Sequence, residues 1–424
     1  MQEDFLQYIW KYKKFNPFNL KTTQNEQISI VSVGLHNHDS GPDFFNAQLK
    51  IGEQLWAGNV EVHINSNDWY LHNHEKDKTY DNVILHIVWE YDNDIYRKDN
   101  TCIPTLELKN YTSPETLNNY HKLFSKTPKW INCEKDFKNV DSFIVENWIE
   151  RLYFERLERT SQDIKILLEN SKNNWEAVLF KMLARSFGLK VNGDAFFSMA
   201  NSFDFSILRK VQSKQLSVEA LLYGQSNLLE DDFQEPYFTE LKTEYEFLKQ
   251  KFQLSNSAII PIQFFRLRPL NFPTIRISQL ASLYHRSQNL FSKIITTISI
   301  KEIYDIFSVE ASEFWDTHYT FHTASKQRKK KLTKSFIDLL LINTIIPLKF
   351  SYAKYQGIEI NDTIITLIQS IASENNTIIN KFNSFKKISK TALDSQALLQ
   401  LKNNYCDKNK CLQCVIGNTL LNRN

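Results

Sequence analysis

Glycine, proline and cysteine are scarce in this chain of 424 residues, which has 9 glycines, 10 prolines and 5 cysteines. Folds that need many tight glycine turns are therefore excluded. The sequence contains neither a GxGxxG nor a GxxxxGK[ST] segment, so it lacks the usual phosphate-cradling loops. Chemistry driven by a bound nucleotide is accordingly not expected.

Neither the charge nor the apolar segments indicate a membrane protein or a strongly basic binder. The net charge is +3, from 51 Lys and Arg against 48 Asp and Glu, and this balance does not identify a nucleic-acid binder. The amino-terminal segment lacks the apolar core of about 7–15 residues of a secretory signal. No window reaches about 18 uninterrupted apolar residues. We expect a cytoplasmic protein without a membrane anchor.

The cysteines support the same compartment. Three of the five lie in the last 20 residues of the chain, whereas a disulfide framework would be spread more evenly. We therefore expect reduced thiols. Hydrophobic residues make up 42% of the chain, which is ample for a buried core and excludes global disorder.

Histidines and glycines are concentrated in one short segment. Six of the ten histidines and four of the nine glycines lie between residues 34 and 86. Turn-forming residues, potential ligands and carboxylates thus occur together there, so a functional site is expected in this segment. The histidines are His36, His38, His63, His72, His74 and His86.

Hydrophobic periodicity predicts an α+β fold. Apolar residues at helical spacing predict a leading helix over residues 2–13, and alternating or β-branched runs predict strands over 28–33, 44–51, 55–64, 82–91 and 103–108. From about Ser142 onward the period changes to 3.6, which predicts a mainly α-helical region. We expect a mixed-sheet domain over residues 1–128 and a helical domain over 129–424.

The first candidate site combines Asp43, Glu61 and His63. Glu61 and His63 are two residues apart on a predicted strand, so their side chains share one face. Asp43 begins the preceding strand of the same predicted hairpin. Two adjacent carboxylates need a cation to ionise together, and oxygen ligands suit Mg²⁺ or Mn²⁺. The alternative is an exposed Glu and an Asp that caps the Gly-Pro turn.

A second candidate site is the H-x-H-x-x-D segment formed by His72, His74 and Asp77. Imidazoles two residues apart in an extended loop can converge on one metal ion, and a nearby carboxylate can complete the site. The alternative is a polar loop between two strands. His36 and His38 are interpreted as loop residues that shape the approach to Asp43.

The third candidate site is the C-x4-C-x2-C segment of Cys406, Cys411 and Cys414. A CxxC pair can hold one metal ion with two thiolates, and the third cysteine is near enough to join it. Cys133, or else Cys102, would supply a fourth ligand. The metal would be structural, with zinc as one candidate, and unliganded thiols are the alternative.

Arginines and lysines suggest a nucleic-acid contact. Arg266, Arg268 and Arg276 lie in RLRPLNFPTIR and could hold phosphates, although buried arginines also tie helices together. The run KQRKKK at residues 326–331 could follow a phosphate backbone, but such runs are usually solvated helix starts.

Longer segments resemble known families. GPDFFNAQLK, NVEVHINSNDWYLHNHEKDKTYDNVILHIVWEY, RLRPLNFPTIRISQLA and YCDKNKCLQCVIGN resemble the signatures of the bacterial domain-of-unknown-function family numbered 2851. The amino-terminal part is also similar to the restriction-endonuclease-like PD-(D/E)xK core, a mixed sheet with a leading helix.

The resemblance to the PD-(D/E)xK core implies roles for particular residues. Asp43 and Glu61 would bind Mg²⁺ or Mn²⁺, Glu3 on the leading helix would be a third acid, and His63 stands where the pattern has lysine. Some nucleases of this class carry an iron–sulfur cluster on one distant cysteine and three near the carboxyl end. This implies such a cluster, besides zinc, for Cys133, Cys406, Cys411 and Cys414.

Three hypotheses for the function follow. The first is a metal-dependent nuclease that hydrolyses phosphodiester bonds of DNA or RNA, with Asp43 and Glu61 on the metal and His63 as proton acceptor. The second is a catalytically inactive nuclease-like module that binds nucleic acid or a protein partner. The third is a zinc-dependent hydrolase that uses His72, His74 and Asp77.

Overall fold

The structure is a computed structural model that describes residues 1–125 and 128–423. The chain divides into two compact units. The first contains Met1–Trp148, Ser384–Lys387 and Leu401–Asn424, and the second contains Ile149–Asn383 and Ile388–Gln400. The three carboxyl-terminal cysteines therefore belong to the same unit as the amino-terminal sheet. The division expected between residues 128 and 129 stays a prediction.

The first unit holds the sheet and a few short helices. The strands are β1 (Ile28–Ser32), β2 (Leu35–His36), β3 (Phe44–Ile51), β4 (Gln54–Asn65), β5 (Val83–Glu90) and β6 (Thr105–Glu107). The helices that lie wholly in this unit are α1 (Glu3–Lys11), α2 (Asp68–Leu71), α3 (Pro114–Leu123) and α18 (Val415–Leu421).

The sheet is mixed, with the strand order β1-β3-β4-β5-β6 and with β2 paired to β3. Strand β3 runs antiparallel to β1, β2 and β4, whereas β5 runs parallel to both β4 and β6. A β3–β4 hairpin turns at Gly52, whose φ is +58°, a conformation that glycine adopts without strain. The parallel β4–β5 pair instead requires a crossover connection, which spans residues 66–82.

Helix α1 packs its apolar face onto the sheet. Phe5, Leu6, Ile9 and Trp10 are fully buried, as expected from apolar positions that recur at helical spacing. The helix contacts β4 and β5. Its first turn carries Glu3, which the packing places near the crossover between these two strands.

Strands β4 and β5 approach closely at Gly58. A Cβ at this position would lie 2.4 Å from Ile84 Cγ2 and 2.6 Å from the carbonyl oxygen of Asn82. Asn59 N–H donates to the same Asn82 oxygen at 2.8 Å. Only glycine therefore fits at position 58 of β4, which lies against the point where the crossover enters β5.

The second unit is almost entirely helical. Its elements are α5 (Trp175–Phe187), α6 (Leu189–Asn201), α7 (Phe205–Val211), α8 (Gln215–Gln225), α9 (Pro236–Phe252), α10 (Pro273–Arg286), α11 (Leu290–Thr296), α12 (Ile300–Phe307), β7 (His318–Thr320), β8 (Thr323–Ala324), α13 (Lys334–Leu340), α14 (Ile346–Gln356), α15 (Asn361–Gln369), α16 (Thr377–Phe385) and α17 (Ala392–Leu401). Helix α4 (Ser142–Asn170) leads into this unit, and α16 and α17 each extend past its boundary.

One helical segment in the described part of the chain is long and apolar enough to cross a membrane by length and composition. It is Lys334–Gln356, which joins α13 to α14 through a π-helical turn, and 78% of its most apolar window is buried within the protein. A core helix of a globular unit has these properties.

The α+β class predicted from periodicity is confirmed, with the mixed sheet and leading helix first and the mainly helical region after it. The strands predicted over 44–51, 55–64 and 82–91 correspond to β3, β4 and β5 within one residue at each end. Within the predicted helical region, α10 and α11 are separate helices because Ser287 and Asn289 leave the helical conformation.

Candidate functional site

Asp43 and Glu61 meet where β3 and β4 begin to pair. The backbone N–H of Asp43 donates to Glu61 Oε2 at 3.1 Å, and the backbone N–H of Val62 donates to Asp43 Oδ2 at 3.0 Å. Gln7, on α1, donates from Nε2 to Asp43 Oδ1 at 2.8 Å. The two carboxyl groups are thus fixed by the strand pairing and by the leading helix.

The parallel register of β4 and β5 adds two histidines to this face. Glu61 pairs with His86 across the two strands, so the side chains of Glu61, His63 and His86 share one side of the sheet. His63 Nδ1 lies 2.8 Å from His86 Nε2, within hydrogen-bond distance. His63 and His86 are 1% and 0% exposed.

The crossover between β4 and β5 brings His72 and His74 onto His63. His72 Nδ1 lies 3.1 Å from His63 Nε2, and one nitrogen from each of the three rings lies within 4.8 Å of the other two. Asn73 between them has a φ of +59°, a left-handed conformation that asparagine tolerates well. This turn directs both neighbouring imidazoles toward the sheet.

Glu61 joins the carboxylate pair to the histidine group. Its Oε1 atom lies 3.4 Å from His74 Nε2 and 3.6 Å from His63 Nε2, while its Oε2 atom accepts the hydrogen bond from Asp43. The first and second candidate sites of the sequence are therefore parts of one site. We call it the histidine–carboxylate site: Asp43, Glu61, His63, His72 and His74.

Burial controls the charges in this site. It raises the pKa of Asp43, with the charge of Glu61 adding to the effect, and it raises the pKa of Glu61 as well, with Glu3 adding. Burial and the neighbouring imidazoles lower the pKa of His63 to about 2, and burial also lowers the pKa of His74. The rings of His63 and His74 are therefore neutral at physiological pH, and each keeps a lone pair.

The donor set fits a divalent metal ion. His74 Nε2 is buried without a hydrogen-bond partner among the described residues. It faces a carboxylate oxygen and two further imidazoles, and neutral imidazole and ionised carboxylate are common metal ligands. The 3.1 Å between His63 Nε2 and His72 Nδ1 matches two nitrogens that share one ion at about 2.0–2.1 Å each.

Aromatic rings and an acid surround the donors. Tyr80 stacks on His74 with ring centroids 3.8 Å apart, and Trp69 contacts both His74 and His86 edge to face. Trp69 and Tyr80 anchor the crossover in a small core with Val83, Ile95 and Ile103. Burial raises the pKa of Glu3 on α1, and nearby His72 and His74 lower it, so this expected third acid lies at the edge of the site.

Asp77, His36 and His38 lie outside this group. The Asp77 carboxylate accepts a hydrogen bond from Thr79 N–H at 2.9 Å and is exposed. His36 stacks on Phe44, and its Nδ1 lies 3.4 Å from Lys11 Nζ. His38 packs edge to face against His36. The H-x-H-x-x-D pattern therefore contributes its two histidines to the site and not its acid.

Two site residues carry no role in the sequence-based interpretation. Gln7 lies one helical turn after Glu3 on the same face of α1. Its spacing from the expected third acid could therefore have identified it from the sequence. His86 interrupts an otherwise apolar strand, VILHIVWE. A polar ring in a strand buried on both faces needs a partner, and His63 is that partner.

The three arginines proposed to bind nucleic acid have different environments in the second unit. Arg276 is buried, where it donates to Gln279 Oε1 and Asn271 Oδ1 and packs over the Phe336 ring. Arg266 and Arg268 are exposed. Arg276 thus has the contacts of a residue that ties helices together, and only the other two are accessible to a phosphate.

The cysteines form a second cluster in the first unit. Cys133, Cys406, Cys411 and Cys414 all line one cavity. The fifth cysteine, Cys102, lies elsewhere and accepts a hydrogen bond from Gln24. Between the two cysteines that the sequence left open as the fourth member, the structure brings Cys133 to the other three.

Comparison with known proteins gives one match. The family model described as Protein of unknown function (DUF2851) matches residues 3–377, which include the histidine–carboxylate site and end before Cys406. No curated protein and no solved structure matches the chain.

Proposed function

The chain belongs to the DUF2851 family, and we propose that it is a metal-dependent hydrolase whose histidine–carboxylate site cleaves phosphodiester bonds in nucleic acid. The observation that carries the proposal is the convergence of His63, His72 and His74 on Glu61. Three imidazoles around a carboxylate on a β-strand form a ligand set for one divalent ion.

The ligand set favours Mn²⁺ or Zn²⁺ over Mg²⁺, because imidazole suits the transition metals whereas Mg²⁺ is held mainly by oxygen atoms. Glu61, His63, His72 and His74 would hold the ion. A divalent ion bound there supplies Lewis-acid activation of a water molecule and of a phosphoryl oxygen.

The other residues of the site position the ligands and move protons. Asp43 keeps free lone pairs besides the hydrogen bonds from Gln7 and Val62, and its negative charge would stabilise a bound cation. With its proton on Nδ1, His63 would donate to His86 Nε2 and keep its own Nε2 lone pair for the ion. Glu3, whose carboxyl group is close enough to His72 and His74 for their charges to affect its pKa, would accept a proton from the attacking water.

The order of elements supports nucleic acid as the substrate. A leading helix, a strand that Asp43 directly precedes and an antiparallel strand with Glu61 and His63 follow the order that the restriction-endonuclease-like resemblance implies. The exposed Arg266 and Arg268 offer cationic groups for a phosphate backbone. In the run at residues 326–331, Lys330 is buried and Lys329 and Lys331 form ion pairs with acids, so this run adds little.

A cleavage assay tests the proposal. The purified protein is incubated with Mn²⁺ or Zn²⁺ and with single- and double-stranded DNA and RNA, together with the variants His74→Ala, Glu61→Ala and Asp77→Asn. We expect cleavage by the wild type and by Asp77→Asn, because Asp77 is exposed and bonded to Thr79. We expect none from the other two.

The outcomes separate the hypotheses. Cleavage that survives in Glu61→Ala refutes the assignment of the site. Metal binding that depends on Glu61 and His74, without cleavage of any substrate, refutes the hydrolase and favours the inactive binding module.

A further inference from the structure

One face of helix α1 extends from the histidine–carboxylate site to a cationic group. Glu3, Gln7 and Lys11 follow one another at intervals of four residues, so their side chains lie on the same face of the helix. Gln7 donates a hydrogen bond to Asp43. One turn further along, Lys11 Nζ lies 3.4 Å from His36 Nδ1. This face therefore carries an acid, an amide and an ammonium group in sequence.

The contact between Lys11 and His36 leaves free hydrogen-bond donors on both side chains. An ammonium group can only donate, so His36 Nδ1 is the acceptor. Burial, followed by the positive charges of Lys11 and His38, lowers the pKa of His36 to about 4. The ring is therefore neutral at physiological pH and carries its proton on Nε2. Within the described part of the chain, no carboxylate forms an ion pair with Lys11 or His36.

The loop that follows His36 is ordered by its own hydrogen bonds. Asn37 Nδ2 lies within hydrogen-bond distance of three carbonyl oxygens of residues 39–42, at 3.0–3.2 Å. The backbone N–H of Asn37 donates to the Asp43 carbonyl oxygen at 2.7 Å. The His36 ring stacks on Phe44 with centroids 4.9 Å apart. Donors that are already held in place lose little entropy when a ligand binds.

A phosphate group fits these donors and their position. Lysine ammonium and imidazole N–H groups both donate to phosphate oxygens, and a charged donor makes the stronger bond. Lys11 lies four residues, or about 6 Å along the helix axis, after the glutamine that binds Asp43. A duplex strand carries a phosphate about every 3.4 Å along its axis. A strand cleaved at the site would thus bring a phosphate to Lys11 within about two nucleotides of the cleaved bond.

We propose that Lys11 and His36 bind a backbone phosphate of the nucleic-acid strand, close to the phosphodiester bond that the histidine–carboxylate site cleaves. The identity of the ligand as nucleic acid rests on the proposed function. Lys11 would supply the charge and one or two donors, and His36 would orient Lys11 and add its Nε2–H. The pair would hold the strand in place against the metal-binding side chains.

The test is oligonucleotide binding by the full-length protein in EDTA, where the metal needed for cleavage is absent. Fluorescence anisotropy with labelled single-stranded DNA and RNA is measured at several salt concentrations. We expect Lys11→Met to raise the Kd about tenfold at low salt and to reduce the slope of log Kd against log salt concentration by about 0.7, the value for one phosphate contact on a single strand. Lys11→Arg should retain binding.

The matched control removes the same charge elsewhere in the first unit. Lys50→Met lies at the other end of β3, next to the hairpin turn, where Lys50 pairs with Glu53. It should change neither the Kd nor the salt slope. On an oligonucleotide of the same sequence with neutral methylphosphonate linkages, the wild type and Lys11→Met should bind equally weakly, because no phosphate charge remains.

A measurement on the wild type keeps the test decisive if the variants fail to fold. Lysine acetylation read by mass spectrometry should show that the charged oligonucleotide protects Lys11 and leaves Lys50 reactive. Equal Kd values for the wild type and Lys11→Met, an unprotected Lys11, or no binding by the wild type overturns the proposal. The proposed cleavage fails separately, when binding depends on Lys11 but no substrate is cut after Mn²⁺ or Zn²⁺ is added.

Discussion

Replacing Glu61 by glutamine should stabilise the metal-free protein at neutral pH. Glu61 is 5% exposed, and burial raises its pKa and that of Asp43. At neutral pH the carboxyl groups of Asp43 and Glu61 therefore retain a proton in the folded protein, whereas both are ionised in the unfolded chain. Glutamine has nearly the same shape, can accept the hydrogen bond from Asp43 N–H, and can donate from its amide to the ring nitrogen of His63 or His74.

The magnitude follows from the proton that the folded protein retains. An unfolded glutamate ionises near pH 4.3, and each pH unit above this value costs about 1.4 kcal/mol for a carboxyl kept neutral by folding. The cost is thus about 3–4 kcal/mol at pH 7 and about 1 kcal/mol at pH 5. Because the pKa of Glu61 is higher in the folded than in the unfolded protein, its contribution to stability is complete below the unfolded pKa. This contribution is lost as the pH rises from there through the folded pKa.

The assay is thermal unfolding of the metal-free protein in EDTA at pH 5 and pH 7. With about 2–4 °C per kcal/mol for a unit of 150–250 residues, Glu61→Gln should raise the Tm by roughly 6–16 °C at pH 7 and by a few degrees at pH 5. Glu53→Gln, at a fully exposed carboxylate paired with Lys50, is the control and should change little. A Glu61→Gln protein less stable than the wild type at pH 7, or equally shifted at both pH values, refutes the reasoning.

Two further substitutions test the neighbouring structure. His86→Leu removes the partner of His63 Nδ1 and should weaken Mn²⁺ binding about 10–100-fold in isothermal titration, as loss of a group that orients a metal-binding histidine does. Unchanged affinity would show that His86 does not orient His63. Gly58→Ala places a Cβ 2.4 Å from Ile84 Cγ2 and should lower the free energy of unfolding by about 1–3 kcal/mol, the usual cost of overpacking. The control is Gly193→Ala, whose new Cβ would lie no closer than 3.3 Å to another atom, the Arg185 carbonyl oxygen. Equal Tm values for the two variants in thermal unfolding would contradict the packing argument.

Local features of the fold could be predicted from the sequence because they depend on side-chain period. Alternating apolar residues in FFNAQLKI and the turn at Gly52 predict the β3–β4 hairpin, and this hairpin places Asp43 beside Glu61. The face shared by Glu61 and His63 follows from their spacing alone.

The convergence of the histidines could not be predicted in this way, because it depends on which strands pair. The parallel β4–β5 pairing sends residues 66–82 back across the sheet, and only this crossover brings His72 and His74 to His63. The sequence-based interpretation therefore separates two sites that the topology joins. Asp77 is the converse case. Its spacing from the two histidines suggests a metal ligand, but its carboxylate caps a turn by accepting a hydrogen bond from Thr79 N–H.

The grouping of the cysteines also depends on tertiary contacts that the local sequence does not reveal. The C-x4-C-x2-C spacing identifies three neighbouring thiols, but about 270 residues separate them from Cys133. Contacts of the tail with α1 and α3, which no local pattern encodes, bring the fourth sulfur to the same cavity.

Anomalous X-ray diffraction from crystals soaked in Mn²⁺ tests the central claim most directly, because it locates the ion without assuming an activity. We expect a peak at about the metal–ligand distance of 2.0–2.2 Å from Glu61 Oε1 and from nitrogens of His63, His72 and His74, and no such peak in a His74→Ala crystal soaked in the same way. A fully soaked wild-type crystal with no peak between these four side chains, or with its peak on other residues, would contradict the account.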